Sequence, residues 1–401
     1  MSPARQASHA ARLRIVKRST ERILTTHVGS LPRSPELVDL LYKKDRGEPY
    51  DEAALAAAVS AGVAHAVAKQ VVAGIDVVSD GEQSKVGYST YVKDRLSGFA
   101  GDYPRPPHLD LAPYPQLREA LARMIGPQSF KRAGCVGPVA LVDPGAVERD
   151  IANLEAALAP HRDHVTEAFM NAASPGVIAA FQTNRYYSSH AAYVDAVAAA
   201  MKPEYDAIAA AGLVLQIDCP DLAMARHTGF QELGETEFLA RAEYHVDALN
   251  RAVRDIPAER MRMHICWGNY EGPHDHDIAL EKILGIVLKA KPAGILFEAA
   301  NPRHRHEWAV WRDAELPDDK VLIVGCIVST SNYVEHPRLI AEQLCRYAEI
   351  VGRERVIAGT DCGFGSFAGY SRVDPGIAYK KLRVLADGAA LATKELWGSE
   401  R

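Results

Sequence analysis

The stretch Met261-Arg262-Met263-His264-Ile265-Cys266-Trp267 is strand-sized, and its His264 and Cys266 stand two residues apart, so both side chains leave a strand on the same side. Working outward from it, the same form recurs along the chain. Strand-like apolar runs are expected over Ile23 to Ser30, Ile75 to Ser79, Arg132 to Leu141, Gly176 to Gln182, Leu213 to Asp218, Gly294 to Glu298, Val321 to Val328 and Val356 to Asp361. Longer amphipathic segments separate them, at Asp51 to Ala73, Ala146 to Ala159, His190 to Ala211, Glu235 to Arg254, His276 to Ala290, Pro337 to Val351 and Ile377 to Trp397. Such alternation predicts a parallel sheet with crossover helices. Nearly every run ends in a chemically capable group: Ser79-Asp80-Gly81-Glu82, Gln216-Ile217-Asp218-Cys219, Phe297-Glu298, Thr360-Asp361-Cys362-Gly363. In a (β/α)8 barrel all carboxyl ends of the strands open on one face, where active sites lie. No run leads into the G-x-G-x-x-G turn of a dinucleotide-binding sheet. The expected fold is therefore α/β, a single-domain (β/α)8 TIM barrel over residues 23–401, with Gly176 to Gln182 as the element beyond the eight strands required. The Pro-rich stretch Tyr103 to Pro115 reads as an excursion from that barrel.

Composition narrows the function classes. The 46 Lys and Arg against 51 Asp and Glu leave a net charge of −5, which offers no electrostatic footprint for nucleic acid or an anionic membrane. The apolar runs are strand-sized, shorter than a bilayer requires. Residues 1–22 are basic and carry no apolar export segment, so they read as a flexible basic amino-terminal arm. Six cysteines in 401 residues make no disulfide scaffold and read as reduced thiols of a cytoplasmic protein.

His264, Cys266, Glu298 and Cys362 are candidate ligands of one Zn2+. Imidazole, carboxylate and two thiolates suit zinc, and the thiolates argue against Mg2+ or Ca2+. H-x-C by itself equally describes a core histidine beside a buried thiol. What favours a metal is that all four candidates close strand runs, together with the resemblance below. Two further H-x-H stretches, His274-Asp275-His276 and His304-Arg305-His306, lie in loops just beyond these strands; they lack cysteine and read as solvated or substrate-facing histidines.

The ordered set His264, Cys266, Glu298 and Asp361-Cys362-Gly363 resembles the zinc site of cobalamin-independent methionine synthase, in its carboxyl-terminal catalytic barrel. Val28-Gly29-Ser30-Leu31-Pro32, Ser79-Asp80-Gly81-Glu82, Gly137-Pro138-Val139 and Gln216-Ile217-Asp218 are similar to further motifs of that barrel, in the same order. The stretches 26–33, 265–270 and 331–337 look closer to single-barrel relatives, a group that includes epoxyalkane:coenzyme M transferase. The resemblance implies zinc-activated alkylation of a small thiol, with Glu298 the ligand that loosens when the thiol arrives. It also implies that Asp218 and Glu82 hold the amino group of homocysteine, and that the backbone at Gly29 and Ser30 holds its carboxylate.

Two departures bear on the methyl donor. Pro144 falls where the family has a folate-stacking Trp, and Thr330 where it has a proton-donating His, with His336 or a loop histidine as possible substitutes. The expected activity is methyl transfer from a donor other than polyglutamyl folate to homocysteine or a similar thiol. The full-length synthase's amino-terminal barrel has no counterpart here. Alternatives are thiol addition to an epoxide, with Arg33, Lys85 and Arg185 as candidate partners of a sulfonate; a metal-free decarboxylase resembling uroporphyrinogen decarboxylase, whose barrel is of the same class; and a binding protein that has lost catalysis. In each enzymatic reading the partners are small molecules.

Overall fold

Eight short, buried, parallel strands form the central sheet of the computed structural model, which describes residues 17–103, 105–125, 131–370 and 372–398. They are β1 (Leu24–Thr25), β2 (Val77–Ser79), β3 (Glu167–Ala173), β4 (Val214–Asp218), β5 (Met261–Ile265), β6 (Gly294–Phe297), β7 (Val321–Gly325) and β8 (Val356–Gly359). Their order, β1-β8-β7-β6-β5-β4-β3-β2, leaves β1 and β2 at the two ends. Asp76 donates its N–H to the Thr25 carbonyl (3.2 Å) and the Thr26 hydroxyl donates to the Val77 carbonyl (2.9 Å), so these ends meet and the sheet curls into a (β/α)8 barrel.

The helices are α1 (Pro35–Arg46), α2 (Glu52–Ala73), α3 (Pro115–Ile125), α4 (Gly145–Leu158), α5 (Pro175–Phe181), α6 (His190–Ala210), α7 (Glu235–Ala252), α8 (Leu280–Val287), α9 (Trp308–Asp313), α10 (Pro337–Val351) and α11 (Pro375–Trp397). Local chemistry starts many of them. The Ser34, Asp51, Ser174, Ser189 and Asp374 side chains each accept an N–H of the first helical turn, and Pro opens α1, α5, α10 and α11. Helix α2 is long and apolar enough to cross a membrane, but here it is a crossover helix with Val59, Val63, Ala66, Val67 and Ala73 buried.

Two of the nine expected strands are corrected. Gly176 to Gln182 lies in and just after helix α5: Ser174 caps it and Pro175 pre-sets its first turn, a start signal that outweighs a short apolar run. Of Arg132 to Leu141, only Gly134–Cys135 is extended, paired antiparallel with Phe99–Ala100 in a ribbon outside the barrel. The missing barrel strand is β3, whose Glu-Ala-Phe-Met-Asn-Ala-Ala sequence has no β-branched residue and little strand propensity. Burial between two neighbouring strands holds it in place, not local preference.

Period-two alternation sorts β5 cleanly. Met261, Met263 and Ile265 belong to the large core between barrel and helices, whereas Arg262 and His264 are buried outside it. Arg262 makes a polar layer: it donates to Gln216, Thr26 and the His27 carbonyl and stacks 3.6 Å from the Phe169 ring centre. Within the expected arm, residues 1–16 lie outside the described residues. Residues 17–22 are fastened near the amino ends of the strands, with Ser19 donating to the Val356 carbonyl (2.6 Å) and Arg22 gripping Asp76 through two 2.6 Å bonds.

Candidate metal centre

Strands β5 and β8 bring three ligands together. Donor atoms of His264, Cys266 and Cys362 all lie within 4.8 Å of one another, and the two sulfurs are 3.8 Å apart. All three residues are buried. One ring nitrogen of His264 is turned to the Leu296 carbonyl, and the other has no hydrogen-bond partner. Burial lowers the imidazole pKa to about 3, so the ring is neutral and its lone pair free. An unpaired buried polar group costs about 1–3 kcal/mol. A cation shared with the two thiols would remove that cost, so the residues fit zinc on their own chemistry. The hydrogen bond to Cys362, together with burial, holds the Cys266 thiol well above the ordinary thiol range.

Glu298, at the end of β6, stands outside the three-ligand cluster. Its carboxylate accepts the Trp267 N–H (2.8 Å) and the Asn301 side-chain amide (2.8 Å), and burial lifts its pKa to about 7. Asp361 ties this loop to the Cys362 loop by accepting the N–H groups of Ala299, Ala300 and Asn301, each at 2.9 Å. Gly325 makes room for the clamp, since a Cβ there would sit 2.3 Å from the Asp361 carboxylate. Asp361 was visible in the sequence only as a neighbour of Cys362, and Asn301 carried no signal.

The paired carboxylates are also buried. Asp218 accepts from Gln216 (2.9 Å) and Asn171 (3.1 Å), whereas one oxygen of Glu82 has no partner. Burial raises Glu82 to about 8, with the charge of Asp218 adding to the rise and Lys85 opposing it; burial likewise raises Asp218 to about 6. Glu82 is held at φ 55°, a left-handed conformation uncommon for a non-glycine residue. Gly29, at φ 142°, packs so closely on Asn171 that a Cβ would fall 2.3 Å from its amide oxygen. The Ser30 carbonyl accepts the Phe364 N–H (2.8 Å), which joins this segment to the Cys362 loop. Lys85 is buried and donates to the Asn171 carbonyl (2.6 Å). Arg33 donates to the Gly365 and Glu82 carbonyls, and Arg185 is exposed over the Tyr103 ring.

The loop histidines divide. His274 and His304 turn inward onto Asp277, each at 2.9 Å, and His304 also meets Glu307 at 2.9 Å. His276 and His306 remain exposed. Both nitrogens of His304 face carboxylates, and those of His274 face a carboxylate and the Tyr270 carbonyl, so each ring is held as a cation with its pKa raised to about 10 and about 9. The histidines thus form a buried charge network around Asp277, a residue the sequence did not single out.

No family model matches the chain. It is 24% identical over 378 residues to the methionine synthase of Saccharolobus solfataricus, covering 93% of this chain and 95% of that one. It is 23% identical over 377 residues to the methionine synthase of Thermococcus kodakarensis, covering 93% and 94%. This chain is similar to methionine synthases over nearly their whole length.

In fold it is similar to a B12-independent methionine synthase from Shewanella sp. W3-18-1, solved with selenomethionine, at a TM-score of 0.69 and 21% identity over 94% of this chain and 99% of that one. These methionine synthases are matched nearly end to end. The two expected catalytic residues, His336 and Thr330, lie near the surface. His336 is exposed and caps α10, its Nδ1 accepting the Arg338 N–H (3.2 Å). Thr330 lines a groove with Glu271, Tyr333 and Arg372, while its neighbour Ser329 donates to Asn269 (2.9 Å). His336→Ser should therefore leave kcat unchanged while supplying an equally good or better cap; a hundredfold fall in kcat would restore His336 to the catalytic machinery.

Proposed function

We propose that this protein transfers a methyl group to the sulfur of homocysteine or a closely similar amino-acid thiol, with zinc held by His264, Cys266 and Cys362. The observation that carries the reading is the buried His264, one ring nitrogen of which has no partner, converging with two thiols at strand ends that also present Asp218 and Glu82. Bound there, zinc supplies a way to hold the substrate sulfur as thiolate at neutral pH. Glu298, adjacent and already hydrogen-bonded, is placed to act as a further, exchangeable ligand. Asp218 and Glu82 receive the substrate ammonium, and the Gly29–Ser30 backbone receives its carboxylate, which orients sulfur for attack. An S–CH3 bond forms as the donor's bond to that methyl breaks, its electron pair leaving with the donor. None of the chain's six cysteines forms a disulfide, which suits a reducing, cytoplasmic setting.

The donor is proposed to be one whose leaving group departs without strong acid assistance. Pro144 stands just before α4 where a stacking ring is expected, and Thr330 lines a groove with Tyr333, its hydroxyl a poor acid at neutral pH. Zinc-loaded protein supplied with homocysteine should form methionine from an activated methyl donor at least about tenfold faster than from 5-methyltetrahydrofolate polyglutamate. Efficient folate-dependent turnover would overturn the donor assignment, and no thiol methylation with any donor would overturn the function.

A further inference from the structure

Beside the site, the Pro302-Arg303-His304-Arg305-His306 loop and α10 border an open surface groove of about 490 Å³, lined by Ala300, Pro302, Arg305, His306, Trp308 and Arg346. Its volume is within the range of small-molecule pockets. The loop alternates: His304 is locked inward between Glu307 and Asp277, which leaves Arg305 and His306 facing out. Arg346 lies over the Trp308 ring, 5.0 Å from its centre. Among the described residues neither Arg305 nor Arg346 forms an ion pair, although Glu342 precedes Arg346 by one helical turn. Most other arginines of this net-negative chain are matched to a carboxylate or carbonyl, as Arg312 is to Asp313.

We propose that this groove binds a multiply charged oxyanion, with the guanidinium groups of Arg305 and Arg346 as its principal contacts, His306 at the rim and Trp308 as an apolar wall. Guanidinium forks fit phosphate and carboxylate oxygens in pairs, so the shared chemistry is that of a polyphosphate or an oligocarboxylate. The buried anchoring of His304 fixes the loop in advance, which lowers the cost of ordering it around a ligand. The inference is independent of methyl transfer, because it concerns binding alone.

Titration calorimetry on the full chain with inorganic tripolyphosphate and, separately, with citrate tests it. Saturable binding of one or both is expected, and which of them binds more tightly assigns the phosphate or the carboxylate source. Arg305→Ser combined with Arg346→Ser should weaken that binding by about tenfold or more, the scale of a lost charge-assisted pair. Arg303→Ser, outside the groove's lining, should leave it within twofold. Absence of binding by both anions, binding that the double variant retains, or an equal loss in Arg303→Ser would each overturn the proposal. Arg305→Ser alone serves as the second variant should the double one fold poorly.

Discussion

Purified protein is expected to carry about one zinc per chain, and Cys266→Ser or Cys362→Ser to bring that below about one-tenth. The two sulfurs lie 3.8 Å apart and, with His264, make the one cluster of three such donors among the described residues, so loss of either leaves two ligands. Methyl transfer should fall further than the roughly 10- to 100-fold that loss of a supporting residue typically costs. The fold should persist, because the serine replaces a thiol whose neighbours are other ligands and not the packed core between barrel and helices. Elemental analysis decides the matter alongside thermal melting: metal-free wild type, or unchanged zinc in both variants, rules out the proposed centre.

The carboxylate pair carries the second large effect. Asp218→Asn should lower kcat/KM for the amino-acid thiol by about 10- to 150-fold, equivalent to losing roughly 1.5–3 kcal/mol from a hydrogen bond to a charged group. A thiol lacking the amino group should lose much less. Glu82→Gln is the cleaner partner variant. Asp218 already receives Gln216 and Asn171 as donors, which an amide NH2 would oppose, whereas one Glu82 oxygen has no partner to disturb. Equal losses for both thiols would show that the pair serves only the barrel mouth.

The same pair sets a pH dependence. In the free protein Glu82 titrates near 8 and Asp218 near 6. Between the ordinary carboxylate range and about 8 the folded state binds more protons than the unfolded chain, so this pair's contribution to stability declines as pH rises through that window. A bound ammonium favours the ionised carboxylates and reverses the preference. Methionine, which has no thiol to ionise, should therefore bind more tightly as pH rises from about 6 to 8 and should release protons. Calorimetry in buffers of different ionisation enthalpy reads this, and affinity that is flat over the window would exclude ammonium capture by these two groups.

Much of the barrel was legible from local pattern. Helices with side-chain caps matched their apolar periodicity closely: α10 spans Pro337–Val351 as expected, and α2 begins one residue after its Asp51 cap. Strand β3 was illegible because its pairing energy comes from β2 and β4, distant in the chain, while its own residues favour no strand. Helix α5 was legible in principle, through Ser174 and Pro175, and was obscured by a run of Gly, Val, Ile and Ala that periodicity alone cannot assign.

For the site, sequence alone determined which residue types end the strands, and hence that soft and borderline ligands would gather on one face. Spacing by two, a property of any strand, already placed His264 and Cys266 on one side. Only the tertiary structure decided which groups meet. Cys362 reaches them from almost a hundred residues away because β8 and β5 belong to one closed sheet. Glu298 is drawn onto Trp267 and Asn301, beside the cluster of three. His274 and His304 are collected by Asp277, while His336 is left outside as a helix cap. The physical reason is the same in each case: a side chain's type is fixed by its codon, but its partners are fixed by burial, which forces each polar group to find whatever donor or acceptor the closed barrel brings within reach.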